Sequence, residues 1–340
     1  MIRVGVIGAG LIGRERLTAL SALQAEGKPV SIVGIHDADA DLCASAGAEF
    51  ATRAHATLES LLREEPDWMM VALPHDSAAQ VAAEALNRGA SVLMEKPMGR
   101  DLKEAESLLQ LGGDRLRVGF NYRFYKGISQ SILDIRRGRF GKIVSIEFVL
   151  GHGCAPGQER TWKLDETRAG GGCLIDPGVH LLDLCCQLAP DGLRPVGGSS
   201  WAGFWNTGIE EEVSAILQAS GYSINLRISL VQWRSMFFMR INGTDGYGIV
   251  TGRNRSYGKQ QYLTGTRWGW REAASQAASE IVELEDGGND VFKHETEALL
   301  FGSESGPDWP RIATAHDALG VMKLLDEIRA CLGLRRDYSS

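Results

Sequence analysis

The chain has 340 residues, of which 44% are hydrophobic and 23% charged, a balance typical of a folded protein large enough for two domains. Its net charge of −7 argues against nucleic-acid binding as the main function, because a phosphate backbone requires a basic surface. No apolar stretch reaches the roughly 18 residues that cross a bilayer, and the first predicted strand starts too early to leave room for a signal peptide. We therefore expect a cytoplasmic protein with neither nucleic-acid nor membrane partners. The six cysteines include no Cys-x-x-Cys pair and are expected to be reduced thiols.

A glycine run follows the first predicted strand. The strand Arg3–Ile7 is apolar and leads into Gly8-Ala9-Gly10-Leu11-Ile12-Gly13, after which a helix is predicted over Arg14–Ala25. Glycines at this spacing, between a strand and a helix, allow a tight turn, a close approach of pyrophosphate to the backbone, and packing of the helix on the strand. We therefore predict that the three glycines, with Leu11 and Ile12, bind a dinucleotide at the helix N-terminus.

An acidic residue follows the second predicted strand, Ser31–Ile35. Asp37 lies 24 residues after Gly13, close to the separation of about 20 found in dinucleotide-binding domains. A carboxylate at this position accepts hydrogen bonds from the ribose hydroxyls and repels a 2′-phosphate. Asp37 therefore predicts NAD, in preference to NADP, as the cofactor. The alternative is a helix-capping or turn acid, and Arg53 is the nearby cation that would favour NADP if its loop folds towards the adenosine.

Strands and helices alternate up to about residue 120. Helices are predicted around 40–47, 58–64, 77–88 and 102–111, and strands over 68–72, 91–94 and 116–119. Single helices between strands predict a parallel, doubly wound sheet. We therefore predict an α/β Rossmann domain for dinucleotide binding over residues 1–120.

The pattern changes after residue 120. A helix near 128–137 precedes long strands, such as Val144–Leu150 and Ile224–Leu230, in which apolar and polar residues alternate. Such strands bury one face and form open antiparallel sheets. We therefore predict an α+β domain with a large, mostly antiparallel sheet over residues 121–340, which binds substrate and joins homodimers or homotetramers. A final helix is predicted over roughly 310–332, and residues 252–289 have no assignment.

A lysine follows the predicted strand over 91–94. In open α/β sheets ligands bind beyond the carboxyl ends of the strands, where Glu95-Lys96-Pro97 would place Lys96. Pro97 favours an extended backbone at Lys96 and so directs its side chain. The alternative is an ordinary surface pair of Lys96 with Glu95.

An acid and a histidine follow a second glycine run, in Gly170-Gly171-Gly172-Cys173-Leu174-Ile175-Asp176-Pro177-Gly178-Val179-His180. We expect the glycines to be mobile. The separation of four residues is one helical turn, so Asp176 and His180 can share one side of a helix start. A carboxylate beside an imidazole makes a proton acceptor near neutral pH. Asp176 with Pro177 also fits a helix N-cap. A metal site of Asp176, His180 and Asp183 is disfavoured, because no further ligand cluster is visible in the sequence.

Together these motifs resemble the Gfo/Idh/MocA family, named for glucose–fructose oxidoreductase and inositol dehydrogenase. The resemblance covers essentially the whole chain and also includes the run Gly119-Phe120-Asn121-Tyr122-Arg123-Phe124. It implies a Rossmann domain, then a domain on a large antiparallel sheet, with the active site in the cleft between them. It further implies that Lys96, Asp176 and His180 form the catalytic group.

The resemblance also assigns residues around the cofactor and substrate. It implies that Leu73, Pro74, His75, Glu95 and Lys96 join the glycine run and Asp37 at the cofactor, and that Tyr122 and Arg123 lie near the cofactor and substrate. Ala78 stands where many members have a histidine, a departure in the loop near the nicotinamide. The loop over 151–172 is expected to shape the substrate pocket, where Trp162 suits the apolar face of a sugar ring. The alternative is that Trp162 anchors the loop and that the charged residues around it are solvated.

These residues predict an NAD-dependent dehydrogenase that oxidises a secondary hydroxyl of a sugar, cyclitol or sugar derivative. His180 would accept the proton, Asp176 would orient the imidazole, and Lys96 would stabilise the developing negative charge. Arg160, Lys163 and Arg168 leave a nucleotide sugar open as substrate. A redox-neutral glycosidase that uses bound NAD is a second alternative. A non-catalytic NAD(P)-binding regulator is disfavoured, because all three catalytic candidates are present.

Overall fold

The structure is a computed structural model that describes residues 1–268, 279–284, 290–302 and 310–334. Its helices are α1 Leu11–Ala25, α2 Ala40–Glu49, α3 Leu58–Leu62, α4 His75–Asn87, α5 Leu102–Gly112, α6 Lys126–Arg136, α7 Glu166–Ala169, α8 Val179–Leu188, α9 Asp290–Phe301 and α10 Ala315–Cys331. Its strands are β1 Ile2–Ile7, β2 Val30–His36, β3 Ala54–His55, β4 Trp68–Val71, β5 Ser91–Glu95, β6 Leu116–Gly119, β7 Ile143–Gly151, β8 Arg194–Trp201, β9 Glu212–Gln218, β10 Ser223–Ser229, β11 Met236–Gly243, β12 Gly246–Thr251, β13 Gln260–Thr266, β14 Ser279–Leu284 and β15 Ala313–Thr314.

The chain divides into two compact units. The first comprises Met1–Phe124 and Asn289–Met322, and the second comprises Tyr125–Gly288 and Lys323–Ser340. The sequence-based boundary at residue 120 placed everything after it in the second domain. Residues 289–322 instead return to the first unit, because β15 pairs with β6 and α9 packs on α1.

The first unit contains a seven-stranded sheet in the order β15-β6-β5-β4-β1-β2-β3. Its strands are parallel except for β15. The central strands are apolar runs buried on both faces, and α1 covers them with Leu17, Leu20 and Leu23. The predicted parallel, doubly wound sheet is confirmed. Strand order reverses at β1, which makes the carboxyl end of β1 the topological switch point, where ligands bind in such sheets.

The second unit contains an eight-stranded sheet in the order β14-β13-β12-β11-β7-β10-β9-β8. All of its pairings are antiparallel except that of β10 with β7. Ile146, Phe148 and Leu150 of β7 are buried, and residues between them are partly exposed. The predicted large, mostly antiparallel sheet is therefore confirmed.

Some element boundaries differ from the predictions. The final helix was predicted to start near residue 310, but α10 starts at Ala315. The Thr314 amide donates to Asp317 Oδ2 at 3.0 Å, and the Asp317 amide donates to Thr314 Oγ1 at 3.1 Å, a reciprocal pair that caps the start of the helix. The unassigned residues 252–289 contain β13 and β14, while residues 269–278 and 285–289 lie outside the described residues. Among the helices described, none combines the length and apolar character needed to span a bilayer.

Candidate active site

The glycine run after β1 is shaped by close contacts within the first unit. Gly8 has φ +98°, and a Cβ atom there would lie 2.2 Å from the Ala72 carbonyl oxygen. A Cβ at Gly13 would lie 1.8 Å from the Gly8 carbonyl oxygen. At Gly10, the N-cap of α1, no described atom lies within 4 Å of that position. The run therefore leaves open space at a helix N-terminus, which fits the pyrophosphate of a dinucleotide.

Asp37 is held beside this turn by its own carboxylate. Oδ2 accepts a hydrogen bond from the Ala9 amide at 2.6 Å, and Oδ1 accepts one from the Asp39 amide at 2.8 Å. The helix cap of α2 is Asp39, whose carboxylate accepts from two backbone amides. The capping role considered for Asp37 therefore belongs to Asp39, whereas the bond from the Asp39 amide to Asp37 Oδ1 is the turn contact of the alternative interpretation. Ribose binding by Asp37 stays a prediction.

Two arginines lie in this part of the first unit. Arg53 pairs with Glu64 at 2.8 Å and is 70% exposed. Arg14, which the sequence reasoning missed, donates to the Ala9 carbonyl at 3.1 Å and forms an ion pair with Glu49. Each guanidinium therefore has a carboxylate partner within the first unit.

Lys96 and Leu73-Pro74-His75 follow neighbouring parallel strands. Lys96 comes directly after β5, and the run ends in His75, the first residue of α4. Because β1, β4 and β5 are adjacent and parallel, these segments share one edge of the sheet with the glycine run. The Lys96–Pro97 peptide bond is cis.

Glu95, which was assigned to the cofactor, takes part in a buried cluster missed by the sequence reasoning. Arg16 of α1 donates to Glu95 Oε1 at 2.8 Å and to Glu295 Oε2 of α9 at 2.6 Å. The side chains of Arg16 and Glu295 are each 1% exposed. Burial, opposed by the charge of Arg16, raises the pKa of Glu295 to about 7. The cluster ties the end of β5, immediately before Lys96, to two helices.

Tyr122 and Arg123 lie in a buried 3-10 helix over Asn121–Phe124. The fully buried Arg123 guanidinium donates to the Arg311 carbonyl at 3.2 Å and lies 3.4 Å from Asp317 Oδ2. The same Asp317 accepts from Arg311 at 2.8 Å. These contacts give Arg123 a structural role, and the predicted contacts of Tyr122 and Arg123 with the substrate stay predictions.

The second glycine run is packed closely. A Cβ at Gly171 would lie 2.1 Å from Arg329 Nη2, and one at Gly172 would lie 2.0 Å from the Glu210 carbonyl oxygen. The Arg329 guanidinium also donates to the Gly170 carbonyl at 2.8 Å. The glycines therefore serve close backbone packing, whereas the sequence suggested mobility.

Asp176 precedes the helix that carries His180. The N-cap of α8 is Gly178, so the capping role considered for Asp176 is not found, and the Asp176–Pro177 peptide bond is cis. His180 is the second residue of α8 and is buried. Both residues belong to the second unit, whereas Lys96 belongs to the first.

A lysine neutralises Asp176. Lys163 Nζ lies 3.2 Å from Asp176 Oδ2, and the charge of Asp176 raises the pKa of Lys163. Lys163 also lies 5.8 Å from the ring centroid of Trp162, within a 3-10 helix over Trp162–Leu164. The sequence placed Lys163 in the pocket loop, but gave no signal that it pairs with Asp176.

Family models match both parts of the chain. A model of the Gfo/Idh/MocA oxidoreductase family, described as an NAD-binding Rossmann fold, matches residues 2–118, and a model of the family's C-terminal domain matches residues 134–248. The chain belongs to the Gfo/Idh/MocA family. The resemblance found in the sequence is thereby confirmed, and NAD, the expected cofactor, is the one that the family description names.

Similar proteins include sugar dehydrogenases. Glucose-6-phosphate 3-dehydrogenase of Bacillus subtilis (strain 168) is 32% identical over 196 residues, 55% of this chain and 54% of that protein. Levoglucosan dehydrogenase of Pseudarthrobacter phenanthrenivorans is 27% identical over 199 residues, 55% of this chain and 51% of that protein. The matched region thus spans about half the length of these curated relatives. A levoglucosan dehydrogenase structure with NADH and levoglucosan has the same fold, with TM-score 0.81 and 19% identity over 98% of this chain and 97% of that chain.

Proposed function

We propose that this protein is an NAD-dependent dehydrogenase that oxidises a secondary ring hydroxyl of a sugar or sugar derivative. The observation that carries the proposal is the shared edge of the first sheet. There an open glycine turn, a carboxylate bonded to that turn and Lys96 all follow neighbouring strands. The names of the relatives, glucose-6-phosphate 3-dehydrogenase and levoglucosan dehydrogenase, support a sugar as substrate.

The residues of the glycine run and Asp37 would hold NAD, which supplies the hydride acceptor when it is bound. We propose that His180 accepts the hydroxyl proton and that Lys96 stabilises the negative charge developing on that oxygen. Asp176 would stabilise the imidazolium of His180 once it forms. Lys163, whose ammonium lies 3.2 Å from Asp176 Oδ2, would hold this carboxylate in position through the ion pair.

A nucleotide sugar is the second candidate substrate. A UDP-N-acetylglucosamine 3-dehydrogenase of Acidithiobacillus ferrooxidans is 28% identical over 202 residues. Arg160 and Arg168 of the second unit are exposed cations in the loop that carries Trp162. Either candidate substrate requires the same proton acceptor, so the residues proposed for the chemistry do not separate them.

The test is NADH formation with a panel of monosaccharides, cyclitols, sugar phosphates, glycosides and nucleotide sugars. Wild type is expected to reduce NAD with at least one member, while His180→Ala and Lys96→Ala lose about 100-fold or more in kcat, the range of positioned acid–base groups. His316→Ala and Lys103→Ala are matched controls, since both side chains are exposed on helices. Wild-type turnover by His180→Ala would refute the mechanism. Aglycone release from a glycoside without net NADH would instead indicate a redox-neutral glycosidase.

A further inference from the structure

The second unit contains a large cavity with aromatic walls. Its volume is about 950 Å³, and Phe204, Trp205, Trp233 and Tyr257 line it together with small and polar residues. Pockets of about 300–1,000 Å³ bury most of a drug-sized ligand. The cavity is therefore larger than a single monosaccharide requires.

The aromatic residues are held in place by specific contacts. The buried Glu211 carboxylate accepts hydrogen bonds from the amides of Gly203, Phe204 and Trp205 at 3.2, 2.9 and 2.8 Å. Trp205 Nε1 donates to the Leu230 carbonyl at 3.2 Å. These bonds fix the loop that carries the Phe204 and Trp205 rings. Ligand binding therefore costs little conformational entropy in this loop.

Trp233, the most exposed of these aromatic residues, contacts a second ring of the cavity wall. Phe204 packs edge-on against Trp233, with ring centroids 4.8 Å apart. A Cβ at Gly153 would lie 2.8 Å from the Trp233 ring, so the glycine permits this ring position. Trp233 nevertheless remains 66% exposed and Phe204 50% exposed. Two fixed aromatic faces thus stay open to a ligand.

The cavity and Asp176 are connected through one loop of the second unit. Gln158 and Glu159 belong to the cavity wall, and the Thr161 amide donates to the Gln158 carbonyl at 2.9 Å. Lys163 of the same loop lies 3.2 Å from Asp176 Oδ2. Burial, together with the charge of Asp176, also raises the pKa of the cavity residue Cys154 to about 11. A ligand that reaches Asp176 can therefore extend into the cavity.

The polar groups of the wall indicate the chemistry of the occupant. In the described lining, no lysine or arginine is present and Glu159 is the sole carboxylate. Glu159 Oε2 is buried with no hydrogen-bond partner among the described residues, while Oε1 lies 3.7 Å from Arg160. Oε2 can therefore accept a hydrogen bond from a sugar hydroxyl, and the negative charge of the carboxylate disfavours a phosphate in the cavity.

We propose that this cavity is a subsite for a second, uncharged sugar ring, so that the substrate is a disaccharide or larger glycoside oxidised on the ring nearer Asp176. The apolar face of the second ring would pack on Trp233 and Phe204, and one of its hydroxyls would donate to Glu159. This inference rests on the proposed dehydrogenase function and narrows its substrate class.

The kinetic test compares kcat/KM for a monosaccharide, its methyl glycoside, disaccharides that carry it, its phenyl glycoside, its phosphate and its nucleotide conjugate. A disaccharide is expected to exceed the methyl glycoside by about tenfold or more. Trp233→Ala is expected to remove that advantage and to leave kcat/KM for the methyl glycoside within about twofold of the wild-type value. Trp201→Ala is the matched control, because Trp201 is 52% exposed in the same unit and is not part of the cavity wall.

Two further results would overturn the subsite. The first is a preference for the phosphate or the nucleotide conjugate. The second is a kcat/KM for the phenyl glycoside that equals that of the best disaccharide and does not change in Glu159→Gln. An aryl group has no hydroxyl that could donate to Glu159, so this result would show that the cavity does not recognise a sugar ring. Calorimetric binding of disaccharide to wild type and Trp233→Ala separates the two proposals. Trp233-dependent binding without NADH formation supports the subsite and refutes the dehydrogenase, whereas turnover of monosaccharide unaffected by Trp233→Ala supports the dehydrogenase and refutes the subsite.

Discussion

Replacing Arg16 by methionine tests the buried cluster before Lys96. The variant keeps an apolar side chain of similar length in α1 but leaves Glu95 and Glu295 without their shared cation, which lies 2.6 Å from a carboxylate oxygen of each. Removing one partner of a buried ion pair typically costs about 3–5 kcal/mol. Because Arg16 and Glu295 are each 1% exposed, solvent cannot replace the lost interaction, and we expect a loss within that range.

The loss of unfolding free energy in Arg16→Met is expected to grow with pH. The pKa of Glu295 in the folded protein is about 7, above the ordinary glutamate value of 4.5, so the native state binds more protons than the unfolded state between these values. Stability contributed by this group therefore falls as pH rises towards about 7, and then levels off. Without Arg16 the pKa of Glu295 rises further, so the decline continues above pH 7 at up to about 1.4 kcal/mol per pH unit.

The assay is urea unfolding followed by circular dichroism near pH 6 and near pH 8.5. Arg63→Met is the control, because Arg63 forms an exposed helical pair with Glu59 at 2.8 Å and such pairs contribute about 0.3–0.5 kcal/mol. If Arg16→Met lost no more than Arg63→Met, or lost the same amount at both pH values, the assigned energetics of the cluster would be wrong.

Four other predictions concern cofactor, catalysis and assembly. Gly10→Ala should keep the wild-type melting temperature, because no described atom lies within 4 Å of a Cβ at this position, and should weaken NAD binding at least about tenfold. Gly13→Ala should lower the melting temperature. Equal melting temperatures of the two variants would contradict the prediction. Asp37 should favour NAD over NADP by roughly fivefold to several-hundredfold, from about 1–4 kcal/mol of repulsion, and titration of Asp37→Ala should give a smaller ratio. Lys163→Gln, which removes the cation 3.2 Å from Asp176, should lower kcat and move the acid limb of the kcat/KM profile to higher pH. An unchanged pH profile would contradict the proposed role of Lys163. Light scattering is expected to give a homodimer or homotetramer, and a monomer at assay concentration would refute the proposed role of the second sheet.

Local patterns in the sequence were sufficient to predict the layers of the fold. The run from Gly8 to Gly13 has its strand and helix on either side, and alternation in β7 and β10 reports one buried face. These signals depend only on near neighbours, so a single sequence contains them.

Contacts between distant residues could not be predicted in this way. Arg16 and Glu295 are 279 positions apart, and nothing near either residue indicates the other. The same holds for Glu211, which looks like an ordinary surface acid beside Glu210 and Glu212 but is buried under the loop that carries Trp205. The alternative of an N-cap at Asp176 was wrong, because Asp176-Pro177 has the composition of a cap but the fold uses Gly178 instead.

The return of residues 289–322 to the first unit has a consequence for how the protein is made. On the ribosome the strands up to β6 emerge first, yet β15, which covers the edge of β6, and α9, which supplies Glu295, follow some 170 to 190 residues later. At about 5–20 residues per second, that interval lasts roughly ten to forty seconds. Throughout it the nascent sheet has an open edge, a ready template for pairing with another chain. Residues 125–288 of the second unit are therefore synthesised while the first unit is still incomplete. A fragment ending at Phe124 is expected to aggregate, whereas the whole chain folds.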